Sequence, residues 1–103
     1  MNVLTPVVQE TRVPGTPDYI FWCPGCECGH GIWVTRPAGY TGPVWEWNNS
    51  LDRPTFSPSI LTRGTQTCHI FVRDGVIEYL GDCTHKLAGQ KVAMAPIPGM
   101  HAS

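Results

Sequence analysis

TCHIFVRDGVIEYL, residues 67–80, decides the fold. Asp74-Gly75 at its centre is a dipeptide favoured in the type I′ two-residue turn, because both central positions of that turn need positive φ. Runs rich in β-branched and aromatic residues flank it at 67–73 and 76–80, so the segment predicts an antiparallel hairpin. A regular turn pairs Arg73 with Val76, Val72 with Ile77, Ile70 with Tyr79 and Cys68 with Gly81. Alternation then puts Cys68, Ile70, Val72, Ile77 and Tyr79 on one face, with Cys83 following on the same side. That apolar face is the expected core. The opposite face carries His69, Phe71, Arg73, Val76, Glu78 and Leu80, a mixed set expected to be only partly covered.

Working outward, PTFSPSI at 54–60 contains two prolines that would remove ladder donors, so it is expected as an extended edge or a buttressing loop rather than a central strand. VWEW at 44–47 sets Trp45 and Trp47 on one face, the period-two pattern of a half-buried strand. The aromatic run 19–22 reads as a strand feeding the tight knuckle Cys23-Pro24-Gly25-Cys26, and β character resumes at 30–36 until Pro37. Residues 2–9 suit an edge strand around Pro6, 13–18 a turn, and 84–88 one helical turn stopped by Gly89. The expected fold is mostly β: a small single-domain antiparallel sandwich or open barrel with a zinc-ribbon-like knuckle. Its single domain, 1–103, divides into an N-terminal arm or edge strand (1–18), a metal-stapled core (19–90) and a C-terminal tail (91–103).

Composition narrows the class. Apolar residues make up 42% of the 103 residues and charged ones only 15%, which excludes a disordered polyelectrolyte. Eleven Gly and ten Pro interrupt every window that could hold a long helix, which excludes helix bundles. Seven basic against eight acidic residues leave a net charge of −1, too little field for non-specific nucleic-acid binding. No apolar run is long enough for a membrane span, and residues 1–10 lack a signal peptide's basic start and apolar stretch, so the expected address is a cytoplasm. Thiols stay reduced there, and five cysteines with four histidines point to metal ligation rather than disulfides.

Cys23-x2-Cys26-x-Cys28-x-His30 is one half-site: its Pro-Gly turn aims two thiolates to one side and frees backbone N–H groups to bond the sulfurs. Cys68-His69 with Cys83-x-His85 is the second. On the hairpin, Cys68 and Cys83 fall diagonally on one face, about 7–8 Å apart at Cα, which suits a shared metal better than a disulfide. The expectation is one structural zinc held by Cys23 and Cys26 with two ligands drawn from Cys68, Cys83 and His85. The alternative for Cys68 and Cys83 is a pair of small buried hydrophobes. His30 and His69 are read as packed rings, Cys28 as a spare thiol, and His101 as uninvolved. Asp82 and Glu78 could orient a ligand histidine or activate a metal-bound water; otherwise they are surface carboxylates. No nucleophile motif, phosphate loop or paired-carboxylate pattern is present, so no catalytic residue is assigned. The four tryptophans could stack nucleobases, but without a basic patch they are expected to fill the core.

PTFSPSI at 54–60, CHIFVRDGVIEYLGDCTHKLAGQ at 68–90 and CPGCECGH at 23–30 together resemble a family of small proteins of unknown function from tailed-phage and prophage genomes. Some members of that family carry an ammonia monooxygenase label, which a chain without a membrane span does not support. The resemblance implies a phage origin, a host-cytoplasm or virion location and a metal-binding β-fold, and it supplies no catalytic residues. The expected function is therefore a non-enzymatic, zinc-stabilised accessory protein that binds another protein, a capsid or other virion component or a host factor, through flexible ends. Two alternatives stand beside it: a metal-dependent hydrolase with an open zinc position, and a zinc-ribbon nucleic-acid binder disfavoured by charge. Convergence of His30, His69 and Asp82 in one cleft would favour the hydrolase.

Overall fold

The computed structural model describes residues 6–98. Eight strands form two antiparallel sheets. The first holds β1 (Val8–Glu10), β2 (Tyr19–Cys23) and β3 (Cys28–Ile32) in that order. The second runs β4 (Glu46–Trp47), β5 (Phe56–Arg63), β6 (Thr67–Arg73), β7 (Val76–Tyr79) and β8 (Lys91–Ala93). The result is an open, unclosed sandwich, as the alternating pattern implies. No helix among the described residues is long and apolar enough to cross a membrane.

The hairpin register is the expected one: Arg73 faces Val76, Val72 faces Ile77 and Ile70 faces Tyr79. Asp74 and Gly75 both have positive φ, 50° and 78°, as a type I′ turn requires. A Cβ on Gly75 would lie 3.2 Å from the Arg53 Cα and 3.3 Å from the Asp52 carbonyl oxygen. Gly75→Ala is therefore expected to destabilise the domain by about 1–2 kcal/mol, measured as a lower denaturant midpoint at unchanged slope.

The predicted inner face of the hairpin is the core. Cys68, Ile70, Val72, Ile77 and Tyr79 are buried against Val8, Phe21, Cys23 and Ile32 of the first sheet, with Phe56 and Ile60 from β5. Phe21 and Phe56 stack across the sheets at 6.2 Å, and Trp47 extends the stack from Phe56 at 6.0 Å. Trp45 and Trp47 pack on this core from its margin.

One expectation is corrected. Residues 54–60 do not buttress from outside: Phe56–Arg63 is an internal strand in the sheet order. It tolerates Pro58 because the ladder to β6 is irregular there. Phe56 pairs with Val72 and Ile60 with Ile70, so three β5 residues stand opposite Phe71 alone and Pro58 has no ladder donor to supply. Of the two alternatives for the N-terminal segment, Val8–Glu10 takes that of an edge strand. Val7 and Val8 are buried and both N–H groups reach the Leu51 carbonyl, so removing residues 1–11 would open the core. Residues 1–5 and 99–103, including His101, lie outside the described part.

Candidate active site and metal centre

Strand alternation sorts the chemistry-bearing residues onto opposite faces of the same backbone. On the inner side, β2 ends at Cys23, the knuckle presents Cys26, β3 contributes His30 and β6 contributes Cys68. One ligand atom from each of these four lies within 4.8 Å of the other three. Cys23 Sγ is 3.8 Å from Cys68 Sγ and accepts the Cys26 N–H at 3.4 Å. Tyr79 anchors the knuckle, its hydroxyl 3.3 Å from Cys23 Sγ and accepting the Gly25 N–H at 3.2 Å.

The donor set fits a divalent metal. His30 Nε2 is buried and has no hydrogen-bond partner among the described residues, an orphan that a metal bond would satisfy. The hydrogen bond from Cys68 holds the Cys23 thiol far below its usual range, and the same pairing drives Cys68 up. Burial, with the charge on Cys23, raises Cys26. The three crowded thiols oppose one another's ionisation, and a bound cation would stabilise all three as thiolates.

A second group, Cys68 with Cys83 and His85, shares one sulfur with the first. His85 Nε2 lies 3.5 Å from Cys68 Sγ, and its ring fills the space above Gly25. Cys83 is already satisfied: its Sγ accepts the His69 N–H at 3.3 Å and donates to the His69 carbonyl at 3.3 Å. Of the expected ligands, Cys23, Cys26 and Cys68 meet in one group, while Cys83 and His85 meet Cys68 in the other. His30, set aside in sequence as a packed ring, is part of the first group, and Cys28 is exposed outside both.

On the outer face lies a second constellation. Leu61 of β5 stands opposite His69 of β6, so Ser59, two residues earlier on the same side, is His69's diagonal neighbour. Ser59 Oγ is 3.1 Å from His69 Nε2, and His69 Nδ1 is 3.0 Å from Asp82 Oδ2. With Asp82 accepting the Nδ1–H, Nε2 carries the lone pair that receives the serine hydroxyl proton. The β6–β7 ladder extends past Tyr79, the Leu80 N–H donating to the His69 carbonyl at 2.9 Å, and continued alternation brings Asp82 to this face. The Trp45 indole N–H donates to the Ser59 carbonyl at 3.2 Å and holds that backbone.

A serine, a histidine and a carboxylate joined in this order have the connectivity of an acyl-transfer triad, which is recognised by geometry rather than by chain position. Ser59 and His69 are half-buried, and the Asp82 side chain is 58% exposed, so the site is a shallow feature of an open sheet. Two concavities of the surface, one beside Arg12, Trp33 and Tyr40 and the other beside Trp45 and Asn49, are lined by none of the three. The three residues are a candidate catalytic set that the sequence analysis did not assign. His69 and Asp82 converge, but His30 lies on the inner side with the cysteines, so the expected convergence of His30, His69 and Asp82 in one cleft is not found. Ser59 carries no local motif, and its only sequence signal is a serine in the strand preceding an outward-facing His69 that shares its face with Asp82.

No curated protein and no solved structure matches the chain. A family model does match residues 4–80, a span that contains Ser59 and His69, and its description is Bacterial ubiquitination-like system serine protease (BubE). That match overturns the resemblance to tailed-phage and prophage proteins, and with it the virion or host-factor accessory role and the non-enzymatic expectation, because the matched family is bacterial and consists of proteases. Covering most of the 103 residues, it shows that the chain belongs to the bacterial ubiquitination-like system serine protease family.

Proposed function

We propose that this protein is a serine hydrolase that cleaves an acyl bond in a protein substrate, with Ser59 as nucleophile, His69 as general base and Asp82 as the group orienting His69. The observation that carries this is the unbroken hydrogen-bonded chain from Ser59 Oγ through His69 to Asp82. Ser59 Oγ attacks the substrate carbonyl carbon while its proton passes to His69 Nε2. Collapse of the tetrahedral adduct breaks the acyl bond, and His69 returns the proton to the departing group. Water, deprotonated by His69, then releases the acid from Ser59.

The description of the family supports a ubiquitin-like protein or its conjugate as substrate, the scissile carbonyl lying in an extended terminal segment. An open site on a sheet face suits such a segment carried by a folded partner, whereas small-molecule sites are enclosed.

Cys23, Cys26, Cys68 and His30 would hold one zinc ion, which supplies folding free energy and a fixed geometry. Three thiolates and an imidazole would give a structural zinc its four protein donors, and the hydrolase chemistry is assigned to the triad. His85 then bonds the Cys68 sulfur from outside.

Diisopropyl fluorophosphate provides the test. One phosphoryl adduct per chain, mapped to Ser59 by peptide mass spectrometry and lost in folded His69→Ala, is expected. A folded, zinc-loaded wild-type protein that resists labelling, or is labelled elsewhere, refutes the assignment.

A further inference from the structure

The second sheet has one long strand that is only half covered. β4 pairs with β5 at Ser57 and Phe56 alone, so beyond Ser59 one side of β5 has no strand beside it among the described residues.

Which backbone groups face that side follows from β6. The His69 N–H goes to Cys83 Sγ and its carbonyl to Leu80, while Thr67 exchanges bonds with Thr84, so both residues spend their polar groups away from β5. Leu61 faces His69 and Arg63 faces Thr67. These are therefore non-hydrogen-bonded pairs, and the N–H and C=O of Leu61 and Arg63 point to the uncovered side. Among the described residues nothing pairs with them. Ser59 has the same parity, but its carbonyl is taken by the Trp45 indole. The edge is thus closed at the nucleophile and open from Leu61 to Arg63, and the Leu61 side chain is 44% exposed on the face that carries the triad.

We infer that the substrate binds by β-addition: an extended peptide segment of the substrate pairs with the Leu61–Arg63 edge, which brings its scissile carbonyl to Ser59. This rests on the serine-hydrolase assignment and adds how the substrate is held. Natural proteins blunt open edges, and here the open stretch starts where the catalytic serine sits. Main-chain pairing supplies affinity with little side-chain demand, as suits an extended terminal segment.

Alanine-based peptidyl diphenyl phosphonates one to four residues long isolate the backbone contribution. Each phosphonylates the active serine with loss of phenol, and the second-order rate is read by intact-mass spectrometry. With wild type the rate is expected to rise about tenfold or more from the shortest to the longest peptide. N-methylation at alternate residues should erase the gain at one parity and spare it at the other. Leu61→Pro removes an outward N–H and no ladder bond, a tolerated use of proline in strands. It should flatten the length dependence, while Leu61→Ala keeps it. A length-independent wild-type rate, or N-methylation without parity, overturns β-addition, and this wild-type series decides the matter even if Leu61→Pro does not fold. Equal labelling of Ser59→Ala would instead sink the serine-hydrolase assignment. A wild-type dimer that Leu61→Pro converts to monomer at unchanged rates would give the edge to a second copy of the chain and overturn the proposal.

Discussion

Ser59→Ala is expected to lower kcat and kcat/KM together by about 10⁴-fold, with KM near the wild-type value. The hydroxyl acts as nucleophile only as the carbonyl is attacked, so its removal costs transition-state stabilisation and little ground-state binding. His69→Ala should fall by a similar factor, and the double variant hardly further, because nucleophile and base act as one unit. Asp82→Asn should cost less, about 10²-fold. Its carboxylate is 58% exposed, and water can partly take over the orientation of His69 Nδ1. Steady-state hydrolysis of a small ester such as p-nitrophenyl acetate, with circular dichroism as the check on folding, reads all of these. Undiminished turnover by folded Ser59→Ala would return the chemistry to a metal-bound water.

Loss of the metal should have the second large effect. Cys23→Ser is expected to abolish zinc binding and destabilise the domain by more than about 4 kcal/mol, a large share of the 5–15 kcal/mol typical of a folded domain. Cys23 joins the two sheets at their most buried point, hydrogen-bonded to Cys26, Cys68 and Tyr79. His30→Ala should release zinc and His85→Ala should weaken its hold less, since His30 Nε2 is the buried nitrogen without a partner. Cys28→Ser, at an exposed position outside both ligand groups, should leave metal content and thermal stability unchanged. Native mass spectrometry and thermal unfolding with and without chelator measure these effects. A metal-free Cys23→Ser protein of wild-type melting temperature would count decisively against the zinc staple.

The two effects are coupled through the chain itself. Cys68 adjoins His69, Asp82 adjoins Cys83, and alternation sends the sulfurs inward and the proposed catalytic groups outward. Chelation should therefore abolish ester hydrolysis at a chelator concentration where Ser59 and His69 are themselves untouched.

Much of this was legible in residues 67–80. Turn chemistry and period-two alternation are local, so the hairpin, its register and its apolar face follow from the sequence alone, as does a bipartite Cys/His pattern that left the choice among Cys68, Cys83 and His85 open. The role of residues 54–60 did not. Prolines argued against an internal strand, and only the irregular β5–β6 register shows that Pro58 falls where no ladder bond is made. His30 looked like a packed ring because an aromatic residue lies close to it in sequence, while one of its ring nitrogens joins the cysteine group only once β2 and β3 pair. Ser59 was invisible for the same reason at longer range. The proposed nucleophile depends on a base and a carboxylate in line with it, and here His69 is 10 residues from Ser59 and Asp82 a further 13 residues on. Local sequence determines which face a residue takes; which other residue it meets there is decided by strand register across the sheet, a long-range property that only the folded core enforces.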